Sequence, residues 1–186
     1  MRAKWCFGLL AVVLVLSGCR PLGSPPSEKA VLSDLFNAQF KDAEAVVVSE
    51  YTTADMLSPE NYDYFKEQLP ELDRELFGAF LAANREAVPS ADLLEITPKV
   101  IPISQEKLTE IFGAPEGKGW EVFYQTYGRV PGVQSFSRPG FSKDGKLALV
   151  YSGGQYDWLA GMGELLLMEQ VDGIWQIKSR AMVWSR

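Results

Sequence analysis

The strongest constraint on the fold is the regular alternation of apolar and polar residues in the last third of the chain. It occupies four segments, residues 133–138, 146–152, 163–169 and 174–185. Asp144-Gly145 precedes the second segment and Asp172-Gly173 precedes the fourth, and Asp-Gly beside such runs is typical of a β-hairpin turn. Because strands joined by tight turns run antiparallel, the pattern predicts a β-meander of about four strands.

The last of these segments predicts a strand with two chemically different faces. One face is expected to carry Trp175, Ile177, Ala181 and Val183. The opposite face is expected to carry Gln176, Lys178 and Arg180. An antiparallel sheet commonly packs one face on the core and leaves the other in water, so we expect helices on one side of this sheet.

Helical patterns precede the meander. Apolar residues recur at helical spacing in residues 28–43 and again from Leu69 to Ala83. Ser104 is a suitable N-cap for a short helix that ends at Gly113, and residues 119–128 predict another helix.

Two short segments between these helices predict strands. Residues 45–52 are rich in β-branched side chains, which favour strands. Residues 99–104 contain Pro102, which cannot donate to a ladder and so restricts that segment to a sheet edge. The whole pattern predicts an α+β fold, with N-terminal helices packed on a C-terminal antiparallel β-meander of about four strands.

The first residues of the chain have the features of a secretory signal. Arg2 and Lys4 form a basic start, and a mostly apolar run of 12 residues from Trp5 to Leu16 follows it. That run is well short of the ~20 residues that a membrane-spanning helix needs. We therefore interpret residues 1–18 as a cleaved signal peptide.

Leu16-Ser17-Gly18-Cys19 matches all four positions of the pattern L-[AS]-[GA]-C and resembles the lipobox of bacterial lipoproteins. The resemblance implies cleavage before Cys19, fatty acylation of its thiol, and attachment to the membrane through these acyl chains. Two or three buried acyl chains make such attachment effectively permanent. Residues 19–27, rich in proline, glycine and serine, are then a semi-extended spacer, and residues 28–186 form a single globular domain.

The expected location is the cell envelope. In lipoproteins, as the same resemblance implies, an aspartate after the cysteine retains the protein at the inner membrane, and Arg20 occupies that place here. We therefore expect the outer membrane, facing the periplasm, in a host with two membranes. In a host with one membrane we expect the outer face of the plasma membrane.

The C-terminal third also resembles the ending of some uncharacterised bacterial proteins. The shared pattern is F-S-R-x-G-F-x-K-D-x-x-x-A-L-V-Y, then a glycine-rich turn, D/N-G-x-W-x-I and a closing tryptophan. Matching residues include Phe136–Arg138, Lys143, Asp144, Ala148–Tyr151, Trp175 and Trp184. The likeness begins near Trp120 and covers about 65 residues. It implies no activity.

Composition excludes several classes of function. The chain has 24 acidic and 18 basic residues, and loss of Arg2 and Lys4 with the signal would leave 24 and 16, a formal net charge of −8. Such a domain repels phosphate backbones, so we expect no nucleic-acid partner. Histidine is absent, which removes Ser-His-Asp catalysis and imidazole metal sites. We expect no catalytic residues, no metal and no cofactor.

The glycine-rich stretch from Gly153 to Gly163 is interpreted as a wide connection between two strands. A dinucleotide site is disfavoured because Leu166 stands where the next glycine of the fingerprint would be. The stretch is either a simple turn or a ligand loop, and in the second case Tyr156, Asp157 and Trp158 would contact the ligand or partner.

Two other clusters have a structural and a functional interpretation. Asp157 and Glu164 could form the acid/base pair of a glycan hydrolase, although solvated carboxylates are more common. A group of aromatic residues at helical spacing favours a packed helix face over a binding platform: Trp120, Phe123, Tyr124 and Tyr127.

The function expected from the sequence is non-enzymatic binding by a lipid-anchored envelope domain, with an envelope protein or a small molecule as partner. A carboxylate-dependent glycan hydrolase remains an alternative. An acidic inhibitor or an assembly factor for an envelope protein is another.

Overall fold

The computed structural model of the chain describes residues 26–113 and 118–186. The predicted signal peptide and the lipid site Cys19 lie outside the described residues. Among the described residues no helix combines the length and the apolar character that crossing a bilayer requires.

Within these ranges the chain forms five α-helices and seven β-strands. The helices are α1 (Glu28–Gln39), α2 (Tyr62–Gln68), α3 (Arg74–Ala83), α4 (Gln105–Phe112) and α5 (Gly119–Tyr127). The strands are β1 (Ala45–Ser49), β2 (Lys99–Ile103), β3 (Val133–Phe136), β4 (Gly140–Phe141), β5 (Leu147–Asp157), β6 (Ala160–Val171) and β7 (Ile174–Ser185).

All seven strands belong to one sheet with the order β2-β1-β3-β5-β6-β7, and the short β4 also pairs with β5. β1 is parallel to β2 and to β3, whereas the remaining pairs are antiparallel. The predicted α+β class is confirmed. The finer prediction is wrong, because the described chain has seven strands rather than about four. In addition, α4 and α5 lie between β2 and β3, so the helices do not all precede the sheet.

Helices cover both faces of the sheet. On one face, which we call the α1 face, Leu35 and Phe36 of α1 pack on Val48, Val150 and Leu166. On the opposite face α2 and α3 pack on β5 and β6, with Phe77 and Phe80 against Leu149, Leu165 and Leu167. Farther along that opposite face, α4 and α5 cover β1 and β2.

On β7 the four apolar residues named for the packed face are buried or half-buried and the three named polar residues are exposed, as predicted. The prediction that these four apolar residues share one face is wrong. Leu167 pairs with Ser179 and Met168 with Ile177, so Lys178 is an extra residue that forms a β-bulge. A bulge shifts the alternation of side chains by one residue. Trp175 consequently packs on the α1 face, whereas Ala181 belongs to the core of the opposite face.

The helix predicted from Leu69 begins five residues later than expected. Pro70 disfavours the helical conformation of the preceding residue, and Leu69 has φ −118° and ψ 80°. The helix instead begins after Asp73, whose carboxylate accepts the backbone N–H of Leu76 at 2.7 Å. Leu69 and Leu72 are fully buried in the turn before it.

Local signals for caps and turns are confirmed elsewhere. Ser104 caps α4 by accepting the backbone N–H of Lys107 at 3.2 Å, and Gly113 follows the last helical residue. Asp172 and Gly173 have φ of 52° and 88° and join β6 to β7. Those angles are close to a type I′ turn, which matches the twist of a hairpin.

A polar node joins α1 and α3 to the connection between β3 and β4. The buried Asn84 side chain donates to the carbonyls of Phe80 and Arg138, each at 2.9 Å, and accepts the N–H of Arg138 at 2.8 Å. The guanidinium of Arg138 donates two hydrogen bonds to Glu28 of α1, which raise the pKa of Arg138. The node fixes how β4 approaches α3.

The two outer strands of the sheet carry features that interrupt pairing. β2 contains Pro102, so the predicted edge strand is confirmed. β7 contains the bulge at Lys178 and a second one at Val183. The ammonium group of Lys178 lies 2.6 Å from Glu169 and 3.1 Å from Glu71.

Candidate functional site

The stretch from Gly153 to Gly163 is a β-hairpin, and its interpretation as a wide connection is wrong. Gly153 and Gly163 are cross-strand partners of β5 and β6, and Asp157 pairs with Ala160. Only Trp158 and Leu159 form the turn. Glycine marks loops in many sequences, but inside a strand it also marks a place where another group approaches the backbone closely.

The group that approaches is the indole of Trp184 in β7. A Cβ atom on Gly163 would overlap Nε1 of Trp184 and lie 2.7 Å from its Cδ1. A Cβ atom on Gly161 would lie 3.1 Å from Cζ3 of the same ring. Gly161 and Gly163 are two residues apart in β6, so their missing side chains would project from the same face of the sheet. The indole lies flat on that face across the two glycines. Its Nε1–H donates to Oη of the buried Tyr151 at 2.9 Å, which fixes the ring.

Trp184 forms one side of a cleft of about 470 Å³ on the face opposite α1. We call it the aromatic cleft. Its aromatic lining consists of Phe112, Trp120, Trp158 and Trp184. Its polar lining consists of Ser49, Gln105, Thr109, Ser135 and Gln155. None of the described residues that line it is charged, and its volume lies in the usual range for small-molecule sites.

Ring contacts fix the wall that α4 and α5 provide. The ring centroid of Phe112 lies 4.7 Å from that of Trp120 and 5.7 Å from that of Trp158, in both cases with the rings edge to face. Trp120 in turn packs on Phe123 at 5.3 Å. The hairpin turn, α4 and α5 therefore meet at one aromatic cluster, and 43% of Trp158 remains exposed.

Trp120 carries an unsatisfied polar group. The residue is 7% exposed, and its Nε1 has no hydrogen-bond partner within the described structure. Leaving a buried donor unpaired costs roughly 1–3 kcal/mol. Nε1 itself has almost no accessible surface, so an acceptor in the aromatic cleft would reach it only after the ring of Trp120 turned toward the cleft.

The three residues predicted to contact a ligand occupy different places. Trp158 lines the aromatic cleft. Tyr156 is 46% exposed, and its carbonyl accepts the hydroxyl of Tyr124 at 2.8 Å. The carboxylate of Asp157 accepts the backbone N–H of Trp158 at 2.7 Å, which orders the turn. Burial, together with the charge of Asp157, raises the pKa of Tyr124.

A second cleft of about 490 Å³ lies on the α1 face, behind the same glycines. Tyr156, Tyr124, Gln134 and Glu164 are among the residues that line it. Gly154 borders both clefts, and because it has no side chain only its backbone separates them at this point. The predicted contact residues are thus divided between two sites.

The carboxylates of the hydrolase alternative are not brought together. Asp157 pairs with Ala160, which precedes Glu164 by four residues on β6, a separation of about 13 Å along a strand. Glycosidase carboxyl groups lie about 5–9.5 Å apart. Glu164 is also ion-paired with Arg180 at 3.2 Å. Within residues 26–113 and 118–186, no three acidic or thiol side chains are grouped so that they could hold a metal ion.

Trp120 was predicted to be core, and it is, but its place in the cleft was missed. Trp184 was not predicted as a site residue at all. Gly161-x-Gly163 could have indicated it, because strand glycines are often covered by an aromatic ring of the neighbouring strand.

Comparison of the chain with protein-family models, with curated proteins and with solved structures found no match. The geometry of the aromatic cleft is therefore the basis on which we infer a function.

Proposed function

We propose that the protein is a lipid-anchored, non-enzymatic binding domain of the bacterial cell envelope, and that its ligand occupies the aromatic cleft. The observation that carries the proposal is a cleft whose described lining is aromatic and uncharged, beside a buried indole N–H that has no partner among the described residues. Binding sites for small molecules are typically apolar, with a few polar groups that orient the ligand. The lipobox residues at 16–19 support the anchor.

The position of the cleft suits a protein that is anchored to the membrane through its N-terminal end. Pro26 packs beside Gly145, next to the first residue of β5. The aromatic cleft lies at the other end of β5, where Gln155 and Trp158 contribute to it. The strand has 11 residues and spans about 35 Å. An anchor on Cys19 would leave the cleft directed away from the membrane.

Occupation of the cleft can be tested with caffeine, a neutral, planar and water-soluble probe. Saturation-transfer NMR on the full-length protein in detergent micelles measures whether caffeine binds, with empty micelles as blank. Thr109→Trp places a large side chain at the rim of the cleft and is expected to abolish the transfer. Thr126→Trp is the matched control: both threonines are exposed, and each bonds the carbonyl four residues earlier at 2.8 Å.

Thr126 does not line the aromatic cleft, so its variant should bind caffeine like the wild type. Equal transfer in the two variants would place the probe elsewhere and overturn the proposal. Absence of transfer to the wild type, above that of empty micelles, from caffeine and from every other uncharged probe of this assay would overturn it as well.

A further inference from the structure

The first clue to the ligand is the open side of Trp184. One side of the indole is covered by the backbone of Gly161 and Gly163, and the ring nevertheless lines the cleft and is partly exposed. The side of the ring away from the glycines is thus the side that can face the cleft. The negative face of an aromatic ring attracts groups with positive edges. The C–H groups on one side of a pyranose ring have this character, so a sugar ring can stack there.

The second clue is that the described residues lining the cleft carry no charge. A charged ligand would lose its hydration without meeting an opposite charge, which is costly in a partly enclosed site. A wholly apolar ligand would strip water from the hydroxyl and amide groups of the cleft without replacing their hydrogen bonds. The ligand that fits has an apolar face and an uncharged polar rim.

The third clue is the state of the polar groups themselves. The hydroxyl of Ser135 and the amide of Gln155 reach carbonyls of the protein only at 3.5 Å, the outer limit of a hydrogen bond. Both can turn to a better partner. The N–H of Trp120 has no partner within the described structure. Sugar hydroxyls donate as well as accept, and an acetamido carbonyl accepts, so a saccharide can satisfy all three groups.

Resting on the proposed binding function, we propose that the aromatic cleft binds a neutral saccharide. One sugar ring stacks on the open face of Trp184, and the ring of Trp120 turns toward the cleft so that an oxygen of the ligand accepts its Nε1–H. Ser135 and Gln155 contact the polar rim of the sugar.

The test uses the same saturation-transfer assay on the full-length protein, with chitotriose and cellotriose as probes. Both are neutral, and only chitotriose has acetamido groups. Transfer to one or both is expected, with loss in Thr109→Trp and retention in Thr126→Trp. Preference for chitotriose would identify an acetamido carbonyl as the acceptor, and equal binding would identify a hydroxyl. Each result supports the saccharide.

Trp120→Phe separates recognition from packing. It keeps an aromatic ring and removes the unpaired donor, so affinity for the bound saccharide should fall about fivefold. Trp175→Phe is the control, because Trp175 is also buried but belongs to the α1 face. It should leave the affinity unchanged. A purely structural role for Trp120 would instead lower the midpoint of urea unfolding and leave the affinity as it was.

The outcomes distinguish this inference from the function on which it rests. If caffeine binds in the cleft and neither saccharide does, the saccharide proposal is overturned and the binding function stands. If neither caffeine nor saccharide binds, both fail. Saccharide binding that survives Thr109→Trp, or that is unaffected by Trp120→Phe, would also overturn the proposed geometry.

Discussion

Replacement of Gly163 by alanine tests whether the position of the Trp184 indole depends on the absence of a side chain at residue 163. The new Cβ would overlap Nε1 of the indole, so the ring must move outward and lose its hydrogen bond to Tyr151. Overpacking typically costs about 1–3 kcal/mol, and the lost hydrogen bond adds about 1 kcal/mol. Removing glycine from a strand returns about 0.5–1 kcal/mol. The net expectation is a loss of about 2 kcal/mol in the free energy of unfolding.

Urea unfolding followed by far-ultraviolet circular dichroism measures this loss. Gly78→Ala is the control, since a Cβ built at this position in α3 has no described atom within 4 Å apart from its chain neighbours and the backbone of its own helix. Alanine there should stabilise the protein by about 0.5–1 kcal/mol, because it favours the helix.

A double-mutant cycle identifies the cause. In a Trp184→Leu background the alanine at position 163 no longer meets an indole, so most of its cost should disappear. The coupling free energy between the two positions should then be about 2 kcal/mol, as is common for residues in contact. If the two substitutions change the free energy of unfolding additively, the packing of Trp184 on Gly163 is refuted.

Four other predictions concern the polar node, the turn between β6 and β7, the ionisation of Tyr124 and the lipid anchor. Asn84→Ala removes three buried hydrogen bonds and should lower the free energy of unfolding by about 3 kcal/mol; a loss below about 1 kcal/mol would contradict the role of the node. Gly173→Ala should cost about 1 kcal/mol in urea unfolding because the turn needs a φ of 88°, and an unchanged midpoint would argue against this turn. The pKa of Tyr124 is raised above 10.0 in the folded protein, so stability is complete below about pH 10 and falls as the pH rises through the folded value. Tyr124→Phe should flatten that fall in unfolding curves measured from about pH 9 to 11, and a parallel fall in both proteins would be inconsistent with it. Cys19→Ser should abolish metabolic labelling by a fatty-acid analogue; label that persists would sink the lipobox interpretation.

The parts of the fold that could be predicted are those that depend on neighbouring residues. The Asp172-Gly173 turn, the Ser104 cap and the edge strand at Pro102 each follow from the chemistry of a few adjacent positions. The parallel pairing of β1 with β2 and β3 has no such local signal. It joins segments separated by tens of residues, and only packing in three dimensions selects it. The segments of β1 and β2 were predicted as strands, but their place in one sheet with the meander was not.

The register of β7 and the aromatic cleft could not be predicted from the sequence for a related reason. Alternation counts one residue per step, so it cannot show where a bulge such as the one at Lys178 moves later side chains to the other face. Trp120, Trp158 and Trp184 are distant in the chain, and tertiary structure alone brings them to one cleft. Of the three residues predicted to contact a ligand, Trp158 lines this cleft, and its contact with a ligand stays a prediction.

The irregular outer strands have a consequence for the behaviour of many copies together. An open edge of a flat strand can template pairing with another molecule, and bulges, proline and charged side chains oppose such pairing. Pro102 interrupts one edge here, and the bulges at Lys178 and Val183 interrupt the other. Copies brought together at high density would therefore lack a regular ladder to extend, which disfavours continuation of the sheet of one molecule into the next.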